Sequence, residues 1–281
     1  MHKTIKFYKY QPLSEEKHFT FLQNYLNQKV WMVPLEQFND PFEGMFNIAP
    51  SMYGNRLNNH DELGSNNSQI IALKRHGALC LTTKNNNAPM WSYYADNHKG
   101  YCVEFELDLT SFCKKTKIPL ERVTNYMDAI NQGLEVLATK VRNIPQSFIF
   151  TKVRYINQIP TISIDRCRKL FASYDQIKYI VENSVGVKSR EWQHEDEYRL
   201  VVNGNSDDSG LLPLEGYASF LRVTGIIIGY QMDSEKIIRV HELCKKKKLR
   251  IYKADFSRSN YEIIINQHHE LPEIESNTTT I

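Results

Sequence analysis

The chain has 281 residues, 41% of them hydrophobic and 24% charged, with 35 Lys and Arg against 32 Asp and Glu. That supports one large core or two small ones and excludes a wholly disordered chain, a collagen or a disulfide miniprotein. The charge balance of 35 − 32 = +3 is too mild to imply nucleic acid by itself.

The start, MHKTIKFYKY, is polar and lacks an apolar signal core. Residues 5–10 alternate partly and predict a strand. Pro12 ends it, and Ser14 with Glu15 and Glu16 predicts a capped helix from about 15 to 27. Residues 30–35 read as a short strand, followed by FNDPFEG at 38–44. There Asn39-Asp40-Pro41 is turn chemistry, side-chain acceptors followed by a fixed φ. Residues 54–67 are a polar loop and 68–76 a predicted helix ending at Gly77. ALCLTT at 78–83 is a buried strand, MWSYYADN at 90–97 a short aromatic helix, and YCVEFEL at 101–107 an alternating strand broken from that helix by Gly100.

Periodic apolar positions within 111–148 predict one or two amphipathic helices. FIFTKVRYI at 148–156 is a strand, 164–184 a helix, and YRLVV at 198–202 a strand. GIIIG at 225–229 is a short apolar strand. A helix capped by Asp233 or Ser234 runs to about 247, and LRIYKA and YEIII close the chain as strands. About nine strands and five or six helices, not in strict alternation, predict an α+β fold. The expectation is a single domain over 1–266. It has a mixed or mostly antiparallel sheet, flanking helices, a helical insert at about 111–148, and a flexible tail at 267–281.

No GxGxxG, Walker loop, HExxH, GxSxG or Cys/His metal spacing is present. The five cysteines are scattered without a CxxC pair. That pattern predicts a reduced, cytoplasmic protein with no structural zinc. No apolar run reaches the roughly 18 residues of a membrane helix, so no membrane partner is expected.

Three segments stand out. FNDPFEG is either a rigid turn, with Asp40 capping amides and two Phe as anchors, or a cleft wall presenting Asp40 or Glu43. MWSYYADNHKG gathers Trp91, Ser92, Tyr93, Tyr94, Asp96 and His98, which suit packing or a flat polar ligand such as a nucleobase or nicotinamide. EWQHEDEYR at 191–199 places Glu195, Glu197 and Arg199 on one face if 195–201 is extended. That is either a structural ion-pair cluster or a carboxylate poised to bind ribose hydroxyls or stabilise a developing cation.

These segments, with Tyr8-Lys9-Tyr10, LCLTTK, W-x-x-E-x-E-x-R at 192–199, GIIIGYQM and LRIYKA, occur in an order that resembles the uncharacterised bacterial domain-of-unknown-function family 2971. More distantly, Tyr8-Lys9-Tyr10, Thr82-Thr83 with the aromatic helix after it, and Glu195-Asp196-Glu197 before YRLVV are similar to the three strand elements of ADP-ribosyltransferases. The first element here has no Arg or His, and Thr82-Thr83 stands where those enzymes have Ser.

That similarity implies an NAD-dependent ADP-ribosyl-transferring or NAD-cleaving enzyme, a toxin or phage-defence effector by analogy. Glu197, Glu195 and Tyr94 would be catalytic. Tyr8, Lys9, Asp40, Thr82, Thr83, Trp91 and His98 would bind NAD as substrate, with Lys9 meeting the pyrophosphate and Trp91 or Tyr94 stacking the nicotinamide. Asn39, Pro41 and Arg199 would support the site, and no metal is required. The partners would be a nucleotide-like small molecule, a protein or nucleic-acid acceptor, and proteins of a defence system.

Two alternatives stay open. One is a non-catalytic module whose aromatic cleft binds a nucleotide or partner. The other is a metal-dependent nuclease with Asp40, Glu43, Glu195 and Glu197 around Mg²⁺ and Lys84, Lys99 and Lys188 facing phosphates.

Overall fold

Alternating burial sets the first strand, β1 (Thr4–Gln11), in which Phe7, Tyr8 and Tyr10 are enclosed and Lys6 is exposed. The structure is a computed structural model that describes residues 4–34, 37–49, 77–111, 136–137, 147–169, 179–203, 210–217 and 219–268. The expected helix at 68–76, most of the insert at 111–148 and most of the tail lie outside these residues.

Next come α1 (Glu16–Leu26), β2 (Lys29–Trp31), β3 (Val33–Pro34), β4 (Asn47–Ala49) and β5 (Gly77–Thr82). Then follow α2 (Ala88–Tyr94), β6 (Tyr101–Asp108), β7 (Val136–Leu137), β8 (Ser147–Lys152), β9 (Arg154–Ile156) and β10 (Thr161–Ser163). After α3 (Ile164–Lys169), β11 (Val187–Ser189) leads into a 3-10 helix, Arg190–Glu195, and β12 (Glu197–Asn203). The chain closes with β13 (Leu211–Pro213), α4 (Leu214–Tyr217), β14 (Leu221–Ile228), α5 (Ser234–Lys247), β15 (Arg250–Phe256) and β16 (Ile263–Gln267). The class is α+β with mostly antiparallel strands, as the element pattern predicts. The described part of the insert differs: residues 136–137 and 147–148 are strand.

The chain divides into two compact units. The first combines Met1–Val30, Thr82–Leu109 and Pro213–Ile281; the second combines Trp31–Leu81 and Thr110–Leu212. In the first, the strand order is β16-β15-β14-β6-β1. β6 pairs antiparallel with β1 along eight positions and with β14 on its other side. Residues 101–105 of β6 are all buried, yet its sequence alternates, with Glu104 and Glu106 set between Val103, Phe105 and Leu107. β14 and β15 are parallel, which requires a crossover, and α5 supplies it. Ile237, Val240 and Cys244 form the buried stripe of α5 at helical spacing. Phe19, Leu22, Tyr25 and Leu26 do the same for α1.

Gly100 is dictated by a close approach: a Cβ there would lie 2.2 Å from the Gln11 carbonyl oxygen. It closes an unusual turn in which Asp96, Asn97 and His98 all take positive φ, at 50°, 50° and 67°.

The second unit carries the order β5-β12-β8-β7, with β3 antiparallel to β5 and β12 antiparallel to β8. Two short parallel pairs, β4 with β10 and β9 with β11, complete it. Its apolar core joins Ala78, Ile162, Tyr179, Ile180, Val181, Val185 and Val201, with Phe38, Phe46, Cys80 and Cys167 against the rim.

Candidate functional site: a buried charge cluster under a groove

The expectation of an extended run from 195 to 201 is corrected by the backbone. Residues 190–195 wind as a 3-10 helix that ends on Asp196 at φ 47°, ψ 53°, and β12 begins only at Glu197. Aspartate tolerates this left-handed conformation better than most residues, and its carboxylate meets Lys152 Nζ at 3.0 Å. Glu195 and Glu197 therefore reach a common point from a helix end and a strand start, instead of sharing a strand face.

That point is a cluster of five charges. Arg199, on β12, is wholly enclosed. Its Nε donates to Glu197 Oε1 (2.9 Å), and Nη2 donates to Glu197 Oε2 (2.8 Å) and Glu43 Oε1 (2.7 Å). Nη1 donates to Glu43 Oε2 (2.9 Å) and the Val185 carbonyl oxygen. All five N–H donors of the guanidinium are thus used. Lys188 Nζ lies 2.7 Å from Glu195 Oε2, 3.3 Å from Glu43 Oε1 and 3.7 Å from Glu197 Oε2. Aromatic faces cover both cations: Phe38 lies 5.0 Å from the guanidinium and Trp192 4.9 Å from the ammonium.

Burial pushes the Glu197 carboxyl up, but Arg199, through charge and hydrogen bonds, and Lys188 outweigh it and hold it at about 2. Burial pushes Lys188 down, yet Glu197, Glu195 and Glu43 together raise it. The Tyr155 hydroxyl accepts from the Glu197 backbone N–H at 2.8 Å, and burial with the neighbouring Glu197 charge pushes its own ionisation far up.

The cluster explains the loop that carries Glu43. Asp40 Oδ1 accepts from the Phe42 N–H at 2.9 Å, and the Asp40 carbonyl oxygen accepts from the Glu43 N–H at 3.0 Å. Asp40 is 3% exposed, so it shapes its own turn instead of presenting a carboxylate to a cleft. Glu43 is the anchor of this loop. Phe42, expected to be an anchor, is 59% exposed. Asn39 and Pro41 are exposed on the same turn.

Phe42 and Met45 form one lip of a groove of about 280 Å³. Residues 156–160 and Val187, Lys188 and Ser189 complete its lining. Lys188 therefore belongs to both features, and the Glu43–Arg199 bonds fix the loop that bears the lip.

The remaining predicted residues lie in the first unit. Trp91 is completely buried; its Nε1 donates to the Asn85 carbonyl oxygen at 2.9 Å and its ring meets Tyr10 edge-on at 5.1 Å. It is a core residue and has no face for a nicotinamide. Tyr8 is 6% exposed in that core, and Thr82, 1% exposed, accepts the Lys84 N–H. Tyr94 packs half-buried against the same apolar core as Trp91, while Lys9 and Thr83, next to Tyr8 and Thr82 in sequence, are half-buried. His98 Nε2 lies 3.1 Å from Ser92 Oγ, and burial lowers its ionisation, which keeps the ring neutral at pH 7.

Within one unit the structure brings Glu195, Glu197 and Arg199 together with Glu43, Lys188, Phe38 and Trp192. Three of the four carboxylates that a metal reading would use, Glu43, Glu195 and Glu197, already surround two side-chain cations, and Asp40 caps its own turn. Among the described residues no group of three or more His, Cys, Asp or Glu is arranged to hold a metal ion. No helix among them is long and apolar enough to cross a membrane. Sequence reading missed the joint role of Glu43 and Lys188 in this cluster. The available signal was the count: two acids on one segment with a single Arg demand further partners.

The class so defined is an α+β protein with a saturated internal ion cluster beneath a small groove. Residues 90–200 match the family model described as a protein of unknown function, DUF2971. The matched stretch contains both MWSYYADNHKG and the W-x-x-E-x-E-x-R segment, and the four fixed residues of the latter, Trp192, Glu195, Glu197 and Arg199, all belong to the ion cluster. Comparisons with curated proteins and with solved structures gave no match.

Proposed function

We propose that this chain is a binding module whose second unit takes a flat, uncharged, nucleoside-sized ligand in the groove above Lys188, with the ion cluster as rigid scaffold and not as reaction centre. The observation that carries this reading is how fully Glu197 is engaged. Each of its oxygens accepts from Arg199, Lys188 stands 3.7 Å from one of them, and the residue is buried, so the carboxylate is poorly placed to hold a ribose hydroxyl or a developing cation. The groove's chemistry supports the ligand class. Phe42 offers an exposed ring for stacking, and the carboxamides of Asn157 and Gln158 each supply a donor and an acceptor suited to a heterocycle edge. A volume of about 280 Å³ lies at the bottom of the range of small-molecule pockets and is too small to enclose a dinucleotide. Three carboxylates against two cations leave the cluster with a net charge of −1, which disfavours a phosphate.

Calorimetric titration with nucleobases, nucleosides, their monophosphates and NAD⁺ tests this, with free nicotinamide followed in the NAD⁺ arm. Uncharged nucleosides should bind better than their monophosphates. Phe42→Ala should weaken binding by about 1–3 kcal/mol, the scale of one base–aromatic stack, with an unchanged melting curve. Release of nicotinamide that disappears in Glu197→Gln would overturn the reading in favour of ADP-ribosyl transfer.

A further inference from the structure

We propose that the chain self-associates through the open edge of β16 in the first unit, forming an antiparallel, twofold-symmetric strand pair with a second copy. β16 ends its strand path and pairs only with β15 among the described residues. The His268 N–H donates to the Ile251 carbonyl oxygen, and the Glu262 carbonyl oxygen accepts the Ser257 N–H. Both residues are even-numbered, and main-chain groups alternate sides along a strand. The even residues therefore face β15, and the N–H and C=O groups of Ile263, Ile265 and Gln267 point to the open edge.

These three residues are self-complementary. A twofold axis at Ile265 sets Ile265 against its own copy and Ile263 against Gln267. The same register places Ile264 opposite Asn266. No residue from 263 to 267 is charged, so no like charges oppose each other along the pair. Exposed edges are ordinarily blunted by lysine, proline or a bulge, and β16 has none of these. Ile264, 42% exposed, adds apolar surface on the strand itself. A second copy satisfies the edge and, by the same twofold, gives each Ile264 a cross-strand neighbour.

The test is sedimentation velocity and light scattering of the full chain over a wide concentration range. The expected result is a concentration-dependent species of twice 32.9 kDa. Ile265→Pro removes an outward N–H that β15 does not use, and it should weaken association by at least about tenfold. Ile264→Lys changes an exposed side chain and should do the same, which settles the matter if the proline variant fails to fold. A full chain that stays monomeric at all concentrations, or a dimer that persists in Ile264→Lys and any folded Ile265→Pro protein, overturns the proposal.

Discussion

Each unit gathers acids around cations, and the two do so in opposite environments. In the first unit, Glu104 meets Lys6 at 2.8 Å, Arg250 at 3.0 Å and the Thr224 hydroxyl, but Lys6 and Arg250 are 42% and 45% exposed. Glu104 itself is enclosed, but water solvates its two cations before and after folding, so losing either one while the other remains costs little. In the second unit, Arg199 and Lys188 are 0% and 4% exposed and their carboxylates are equally enclosed. There, removing one member leaves a buried charge that water cannot reach. The contrast teaches that the worth of an ion pair is set by the solvation its members would recover, not by its length.

The strongest way to break the comparison is Arg199→Met. It strands Glu43 and Glu197 with Lys188 alone, and equilibrium urea unfolding should show a loss of about 3–5 kcal/mol. A loss below 1 kcal/mol would mean that water enters the cluster and the two units are alike.

Acid sharpens the same contrast. Glu197 titrates near 2 in the folded protein, below its ordinary 4.5, so the unfolded chain takes up that proton first as pH falls. Its contribution is complete above about 4.5 and is lost as pH falls toward 2, and the shift corresponds to about 3 kcal/mol. Arg199→Met removes the main group holding Glu197 down and should flatten this limb. Unfolding midpoints measured against pH in both proteins check it, and parallel acid limbs would contradict the assignment.

The smallest effect belongs to Arg250→Ala. Glu104 keeps Lys6 and Thr224, and the loss in a melting curve should stay under about 1 kcal/mol. A loss as large as that of Arg199→Met would erase the distinction between exposed and enclosed cations.

Local pattern was legible wherever one face of an element meets the core. The alternation in 5–10 and 101–107 gave β1 and β6, and Asp233 with the apolar spacing after it gave α5 within one residue. The Asn-Asp-Pro turn was also legible, because its hydrogen bonds close within two or three residues. The same local reasoning erred at 195–201, where a left-handed Asp196 interrupts a run that alternation alone reads as extended.

The sequence by itself determined the α+β class, most strand positions and the pairing demand of Glu195, Glu197 and Arg199, since these follow from period and charge over a few residues. Only the tertiary structure decided that Trp91 is core and that Arg199 is claimed by Glu43. Those two residues are 156 positions apart, and nothing in either neighbourhood encodes the meeting. Whether a carboxylate is a reagent or a strut depends on how many donors reach it and how much water remains. Both quantities are fixed by packing between segments distant in the chain.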